Sequence, residues 1–407
     1  MTAKLPASVL TDEQRFDWLR LIRSENVGPR TFRALLNSFG GAAAALEALP
    51  DMARRGGASR PIKVASVEDV ERELQSAHRL GVRYVALGEP AYPEHLRRID
   101  SAPPILAVLG RDEALQQPIV AIVGSRNASA AGLAFADRLA RGLGQAGYVV
   151  ASGLARGIDQ RAHVAALATG TIGVFAGGHA RPYPPESVPL IPRIAEFGAI
   201  VSEMPIEWEP RGRDFPRRNR IVSGLSLGIV VVEASRGSGS LITAKFAAEQ
   251  GREVFAVPGS PLDPRAEGTN DLLREGASLC ARIEDVLTML EPMRERDLFS
   301  VAEQIGVGGE PLWDEAEMPG VETRSAPRTA IGAEMDEGGA AFRADEDALR
   351  ARVVALLSPS PVTFDELCRA AQCGPRELRT ITLELELAGK IERSGGDRLA
   401  LMTRESP

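Results

Sequence analysis

The loop with the clearest capacity to bind an anion follows a short apolar run. Residues 119–123 are apolar throughout, and Gly124, Ser125 and Arg126 stand between this run and a helical pattern. Open α/β sheets bind ligands at the carboxyl ends of their strands, where the amides of the next helix start favour negative charge. Glycine permits close approach, serine can donate, and arginine can form paired hydrogen bonds to phosphate. An ordinary strand–helix turn explains the same residues, so this loop decides nothing alone.

More loops of small and hydroxyl-bearing residues follow the other apolar runs, at 148–151, 171–175, 229–232 and 254–257. Because the carboxyl ends of parallel strands meet at one edge, these loops predict a broad anion cradle lined by backbone amides. The cradle residues that we expect to contact the anion are Gly153, Ser238, Gly239, Ser240, Thr243 and Gly259. Lys245, on the helix that follows the serine-rich loop, is a further candidate for a phosphate contact.

A basic cluster at 211–220 stands out in a chain of formal net charge −7. It holds five arginines against one aspartate, and Phe215 lies inside it. Proteins bind single-stranded nucleic acid through cations that contact phosphates and aromatic rings that stack on bases. The alternative is a solvated basic face with Phe215 in the core. The arginines are Arg211, Arg213, Arg217, Arg218 and Arg220.

Catalysis is not expected at this edge. Glu203 and Glu233 follow two of the apolar runs and could approach one another, as a proton-transfer or metal-binding pair does. No nucleophile or third acid is arranged with them, and His163, one helical turn after Asp159, more often anchors a helix. The sequence lacks the glycine fingerprint of dinucleotide sites and the phosphate loop of nucleotide hydrolases. We therefore expect no enzyme activity, no metal and no cofactor.

Length and composition indicate a globular protein of several domains. The chain has 407 residues, of which 44% are apolar and 25% charged. The acidic balance excludes a globally basic nucleic-acid binder but not a local basic surface. Three cysteines give no disulfide framework. With no long apolar run and no apolar signal core at the start, we expect a cytoplasmic protein without a membrane segment.

The apolar runs predict the elements that position these loops. They lack in/out alternation, as strands buried on both faces do, and segments long enough for crossover helices separate them. The fold class is therefore α/β, with a Rossmann-like, doubly wound, mostly parallel sheet. We expect a helical domain of helix-hairpin-helix or SAM-like type at 1–85, this core at 86–295, an acidic flexible linker at 296–345 and a winged-helix domain at 346–407. The turn at 26–30 could hold a phosphate, although a plain helix–helix connection is the simpler interpretation.

The C-terminal domain is expected to be loosely tethered and to contact protein rather than duplex DNA. Apolar spacing from Leu349 to Leu385 suits a three-helix core. The candidate recognition helix, 375–388, carries Arg376 and Arg379 but three glutamates, which oppose approach to two rows of phosphates. A protein partner or a second copy of the chain is therefore the preferred interpretation.

Taken together, the motifs resemble those of the DNA-processing protein A family (DprA, also called Smf). They follow that family's order over roughly residues 90–290. The matching stretches are residues 121–126, 152–159 with Ala162 and His163, Tyr183-Pro184, 215–220, 238–244, 252–259 and 268–270. The segment at 178–187 departs from the family pattern, with Ala180 and Arg181 after His179 and Ser187 in place of the usual asparagine.

The resemblance implies a single-stranded DNA-binding recombination mediator in natural transformation, which protects the incoming strand and helps to load the RecA recombinase. It also implies a homodimer formed through the core. With Asn270 added from the last motif, the DNA-binding set becomes Gly124, Ser125, Arg126, Gly153, Arg213, Phe215, Arg217, Arg218, Arg220, Ser238, Gly239, Ser240, Thr243, Lys245, Gly259 and Asn270. The rival interpretations are a Rossmann-like enzyme acting on a nucleotide phosphate and a duplex-DNA regulator that works through the tail.

Overall fold

A computed structural model of the chain describes residues 7–298, 305–307, 338–394 and 397–402. Most of the linker expected at 296–345 lies outside these residues, as do Gly395 and Gly396 of the C-terminal hairpin. The described residues divide into two compact units. One contains 16–66, 338–394 and 397–402, and the other contains 7–15, 67–298 and 305–307.

The second unit is built on a nine-stranded sheet in the order β10-β9-β8-β4-β5-β6-β7-β3-β2. Strands β10 through β7 are parallel to their neighbours, and β3 and β2 extend the edge in antiparallel fashion. The mostly parallel α/β prediction is thus confirmed. The strands are β2 (Arg83–Ala86), β3 (Ile105–Gly110), β4 (Ile119–Gly124), β5 (Val149–Ser152), β6 (Thr171–Val174), β7 (Ala199–Ser202), β8 (Gly228–Val232), β9 (Glu253–Ala256) and β10 (Ser278–Leu279).

The central strands are apolar because both faces are covered. Val120, Ile122 and Val230 are fully buried and pack with Leu139 and Phe255 in one core. Burial of such a side chain stabilises by about 1.5–3 kcal/mol. The helices of this unit are α4 (Val67–Arg79), α5 (Glu94–Arg97), α6 (Ala130–Gln145), α7 (Ile158–Ala166), α8 (Ile191–Phe197), α9 (Asp214–Leu225), α10 (Gly239–Glu249), α11 (Glu267–Arg274) and α12 (Ile283–Leu298).

The expected boundary between residues 85 and 86 falls inside β2, and α4 belongs with the sheet. Strand β2 pairs with β3 residue by residue, so the helical part ends earlier along the chain. Two short strands, β1 (Ala7–Val9) and β11 (Ile305–Val307), form a separate parallel pair. The four-part division as a whole stays a prediction.

The other unit combines N-terminal helices with a winged helix. The N-terminal helices are α1 (Asp12–Arg23), of which residues 12–15 fall in the other unit, α2 (Pro29–Phe39) and α3 (Ala42–Arg55). The C-terminal elements are α13 (Gly338–Leu356), β12 (Val362–Thr363), α14 (Phe364–Ala371), α15 (Pro375–Leu387), β13 (Ile391–Ser394) and β14 (Arg398–Leu401). Three helices and a β-hairpin confirm the winged helix. The loose tether expected for this domain differs from the structure, because α15 packs against α2 and α3.

Local signals explain where these helices begin. Thr363 and Glu366 form a capping box at the start of α14, and Pro375 opens α15. Across the described part of the chain, we find no helix with the length and apolar character that a membrane crossing requires.

Candidate nucleic-acid interface

A pocket of about 220 Å³ lies where the loops after β4, β5 and β6 meet the start of α9. Its position is the one predicted for the anion cradle, at the carboxyl ends of parallel strands. The lining residues include Arg126, Gly153, Arg156, Tyr183, Phe215 and Arg218. Three of the predicted loops therefore meet at one place, together with the aromatic residue of the basic cluster.

Phe215 has ring contacts with three other side chains that line this pocket. Its ring is half-buried, and the Cζ atoms of Arg126 and Arg218 lie 5.7 Å and 6.0 Å from the ring centroid. Tyr183 meets it edge to face, with ring centroids 5.8 Å apart, and remains 50% exposed. An open aromatic surface beside an exposed guanidinium is suited to stack a base and hold the adjacent phosphate.

Tyr183 was not among the predicted contact residues. The sequence showed the Tyr183-Pro184 pair only as part of a family pattern. An aromatic residue between prolines in a polar loop is a weak sign of an exposed ring, and no local pattern shows that this ring meets Phe215.

Arg218 turns inward. Its guanidinium donates to the backbone oxygen of Gly153 and, at 2.8 Å, to that of Val174. Burial lowers the pKa of this guanidinium to about 10. Asp159 accepts from the amides of Gly153 at 3.1 Å and Ala155 at 3.4 Å, and burial raises the pKa of its carboxyl group. Arg218 therefore fixes the loops after β5 and β6 and does not extend toward solvent.

Arg220 also points inward. It forms an ion pair with Glu203, and each side chain is only 9% exposed. By contrast, Arg213 and Arg217 are exposed, as is Arg126. The cluster expected to contact phosphate as a whole thus separates into two inward arginines and an outward set. The separation arises because residues 214–225 form a helix, α9, which places neighbouring side chains on different faces.

The serine-rich loop after β8 forms a helix start. Ser238 caps α10 by accepting from the amide of Ser240 at 3.4 Å, and the two hydroxyl oxygens are 2.7 Å apart. Thr243 is buried, whereas Gly239 is exposed and its carbonyl accepts from Asn219 on α9 at 3.2 Å. Lys245 is 78% exposed, with Glu249 3.9 Å away. The loop therefore borders α9 through the Asn219 contact.

Two of the predicted glycines have steric roles. A Cβ on Gly124 would overlap the carbonyl oxygen of Val232, so only glycine lets β4 end against β8. Ser125 turns back to accept from the amide of Asn127 at 3.1 Å. A Cβ on Gly153 would collide with the Arg218 guanidinium.

Gly259 lines a second pocket, of about 470 Å³, together with Glu233 and Arg138. Asn270 forms two hydrogen bonds with Gly259, donating to its oxygen at 3.0 Å and accepting from its amide at 3.2 Å. Neither residue lines the Phe215 pocket. The structure therefore does not bring all the predicted contact residues into one cradle: Arg126, Gly153, Phe215 and Arg218 line the first pocket, and Gly259 lines the second.

The two glutamates considered for catalysis are apart. Glu203 follows β7 and Glu233 follows β8, and β4, β5 and β6 lie between those strands. Glu203 pairs with Arg220, while Glu233 accepts from the Ser129 amide at 2.8 Å at the start of α6. Their described contacts are structural.

The buried histidines also have structural contacts. Nδ1 of His163 lies 2.8 Å from the Thr171 hydroxyl, and burial lowers the pKa of His163 to about 3. Nε2 of His179 donates to the Ile200 oxygen at 3.2 Å, and burial lowers its pKa to about 4. Both rings are neutral at pH 7.

Residues 83–291, which contain the whole pocket, match the family described as DNA recombination-mediator protein A. The chain belongs to that family. Matches to a DprA-like N-terminal HHH domain at 12–76 and a DprA winged helix domain at 340–397 flank the mediator-protein core. The core and both flanking regions are thus shared with the recombination-mediator protein A family.

Three comparisons show how far the likeness to this mediator family extends. The Bacillus subtilis DNA processing protein DprA is 41% identical over 230 residues, which cover 56% of this chain and 76% of that protein. Protein Smf of Synechocystis is 27% identical over 418 residues, or 96% and 99% of the two chains. The X-ray structure of DprA from Streptococcus pneumoniae matches with a TM-score of 0.57 and 33% identity, covering 69% of this chain and 98% of that one.

Proposed function

We propose that the core binds single-stranded DNA at the Phe215 pocket and acts as a recombination mediator in natural transformation. The observation that carries the proposal is the half-buried Phe215 ring, flanked by exposed Arg126 and half-exposed Tyr183. Bases in a duplex keep their faces stacked on one another. A ring recessed in a pocket of about 220 Å³ is therefore suited to the free face of an unpaired base.

Exposed cations of the loop after β4, of the basic cluster and of α10 supply the phosphate contacts in this proposal. They are Arg126, Arg213, Arg217 and Lys245. Such contacts read the backbone and carry no sequence information, so we expect little sequence preference. Arg218 and Arg220 act in the proposal as positioning residues, because their guanidinium groups already bind protein atoms.

The remaining parts of the proposal rest on membership in the mediator family. We infer that the protein works in the cytoplasm as a homodimer formed through the core, and that the RecA recombinase receives the bound strand. We assign it no enzyme activity and no cofactor. Against the rival of an enzyme for a single nucleotide, exposed Arg213 and Arg217 extend the basic surface beyond the pocket lining.

The experiment is equilibrium binding of labelled oligonucleotides to the full chain over a salt series. We expect tighter binding of a mixed-sequence single strand than of the duplex of the same length. The affinity for the single strand should fall with salt, by a log–log slope of about 0.7 per phosphate contacted. Equal or tighter binding of the duplex at every salt concentration would contradict the proposal.

A further inference from the structure

Helix α15 occupies the position of the recognition helix in the winged helix, yet it is covered on two sides. Leu378, Ile381 and Leu385 face the winged-helix core. Leu383 and Leu387 point to the opposite side and are only 5% and 1% exposed. A helix that covers a single core keeps its other face polar and wet. A second surface must therefore bury Leu383 and Leu387.

That second surface is formed by the N-terminal helices, since α15 packs against α3 and α2. At the end of α3, a Cβ on Gly56 would overlap the carbonyl oxygen of Glu384 and lie 3.0 Å from the Cβ of Ala388. The two backbones are so close that the position tolerates only glycine. Contact of this closeness is typical of a packed interior.

A buried acid is shared at this contact. The side chain of Glu384 is 2% exposed and accepts from Arg350 of α13 at 2.6 Å and from Arg55 of α3 at 2.8 Å. A buried carboxylate is costly unless it is paired and hydrogen-bonded. One of the two arginines comes from each side of the contact, so separation of the two sides would leave Glu384 with half of its charge pairing.

Polar groups of the turn before α2 and of the first turn of α2 complete the contact. The Asn26 amide donates to the Leu387 oxygen at 2.9 Å, and Thr31 donates to Glu386 at 3.2 Å. Arg30 donates to the Ser394 oxygen of β13 at 3.0 Å. The last carbonyls of a helix need partners from outside it. Asn26 supplies one of those partners to α15.

We propose that the outer face of α15, the side that carries Leu383 and Leu387, is a docking site for the N-terminal helices of the same chain. The winged helix therefore does not read duplex DNA through α15. Major-groove reading needs this face free to approach base edges. Here its apolar residues are buried and Glu384 and Glu386 are paired with protein groups. The inference is independent of the single-strand site, which lies in the other compact unit.

The test is hydrogen–deuterium exchange of the full chain, read at peptides that cover residues 381–390. Arg55→Glu places an acid beside Glu384, and we expect it to accelerate exchange there at least about tenfold. The matched control is Arg54→Glu, since Arg54 precedes Arg55 on α3 and, among the residues that the structure describes, forms its ion pair with exposed Asp51 at 2.7 Å. Equal exchange in the two variants would overturn the proposal.

Two glycine variants give an uncharged version of the test. Gly56→Ala should accelerate exchange at 381–390, because the added Cβ overlaps Glu384. Gly28→Ala should not, because nothing lies within 4 Å of a Cβ built there. If Gly56→Ala unfolds the winged helix, exchange at peptides from α14 will rise as well, and the Arg55 and Arg54 pair then decides the matter.

Two additions to the exchange experiment identify the occupant of the face. Exchange at 381–390 should not change when the protein is diluted about 100-fold, since the partner is the same chain. Faster exchange on dilution would assign the face to a second copy. Saturating duplex DNA should also leave exchange there unchanged. Protection by duplex in the wild-type chain would assign α15 to DNA reading and overturn the proposal.

Discussion

Arg218 donates a hydrogen bond to the backbone oxygen of Gly153 and thereby ties the start of α9 to the loop after β5. The same guanidinium also donates to the backbone oxygen of Val174, the last residue of β6. An arginine inside a basic cluster thus acts as a structural cross-link. Its neighbours Arg217 and Arg213 remain exposed to solvent.

The first prediction compares the free energy of unfolding of variants at inward Arg218 and exposed Arg217. Arg218→Ala leaves two buried carbonyls and the buried carboxyl of Asp159 without this partner. We expect the free energy of unfolding to fall by about 3–5 kcal/mol. Arg217→Ala, one residue earlier and exposed, should stay within about 0.5 kcal/mol of the wild type. Urea unfolding of the full chain measures both, and similar losses in the two variants would contradict the cross-link.

The second prediction concerns the phosphate contacts. Arg126→Ala should weaken single-strand binding and reduce the log–log salt slope by about 0.7, because one phosphate contact is lost. Arg217→Ala should do the same. Arg141→Ala is the control, since Arg141 pairs with Asp137 on α6 and does not line the pocket. An unchanged slope in folded Arg126 and Arg217 variants would mean that these arginines only face water.

The third prediction concerns stacking. Phe215→Ala should cost about 1–3 kcal/mol of single-strand binding with little change in the salt slope, because a base face is lost and no charge is removed. Tyr183→Ala should act in the same direction. Phe197→Ala, at an exposed ring on α8, should leave affinity unchanged. A Phe215 variant that binds like the Phe197 variant would exclude stacking at this ring.

The fourth prediction concerns pH. Burial lowers the pKa of His163 to about 3 and of His179 to about 4, so both are neutral when folded. The unfolded chain takes up protons on both groups below about pH 6.5, and uptake by the unfolded state alone lowers stability. Between about pH 6 and 5 each ring should cost about 1.4 kcal/mol per pH unit, and below that range the cost of His179 declines because the folded ring itself takes up a proton near its pKa of about 4.

Unfolding free energies measured from pH 7 to pH 4 test this. His163→Asn should remove one proton from the slope between pH 6 and 4, even if it lowers stability at pH 7. A slope that is the same in the variant and the wild type would show that His163 is not the group that titrates.

The sheet could be predicted from the sequence, and the orientation of the arginines could not. A strand that is covered on both faces needs apolar residues throughout, and this requirement is visible in the local sequence. Residues 119–123 are such a run. Arg218 faces inward because it donates to the carbonyl oxygens of Gly153 and Val174, which are distant from it in sequence. No periodicity of 211–220 encodes those partners.

The outer face of α15 is indicated by the sequence, but its partner is not. Leu383 and Leu387 stand at helical spacing opposite Leu378 and Ile381, so the helix is apolar on two sides. That pattern indicates a second covering surface but does not identify it. The partner residues Asn26, Thr31 and Arg55 lie more than three hundred positions away in sequence, beyond the reach of any local pattern.

The last prediction concerns the tail. The Phe215 pocket lies wholly within residues 67–298, so a chain that lacks residues 340–407 keeps every residue of its lining. We expect its affinity for single-stranded DNA to stay within about threefold of the full chain, or roughly 0.7 kcal/mol. The truncation also uncovers the part of α3 around Gly56, so circular dichroism and the oligomeric state must be matched to the full chain first. A loss of about tenfold or more in such a matched sample would show that the winged helix contributes to the DNA site, and that the pocket accounts for only part of the binding.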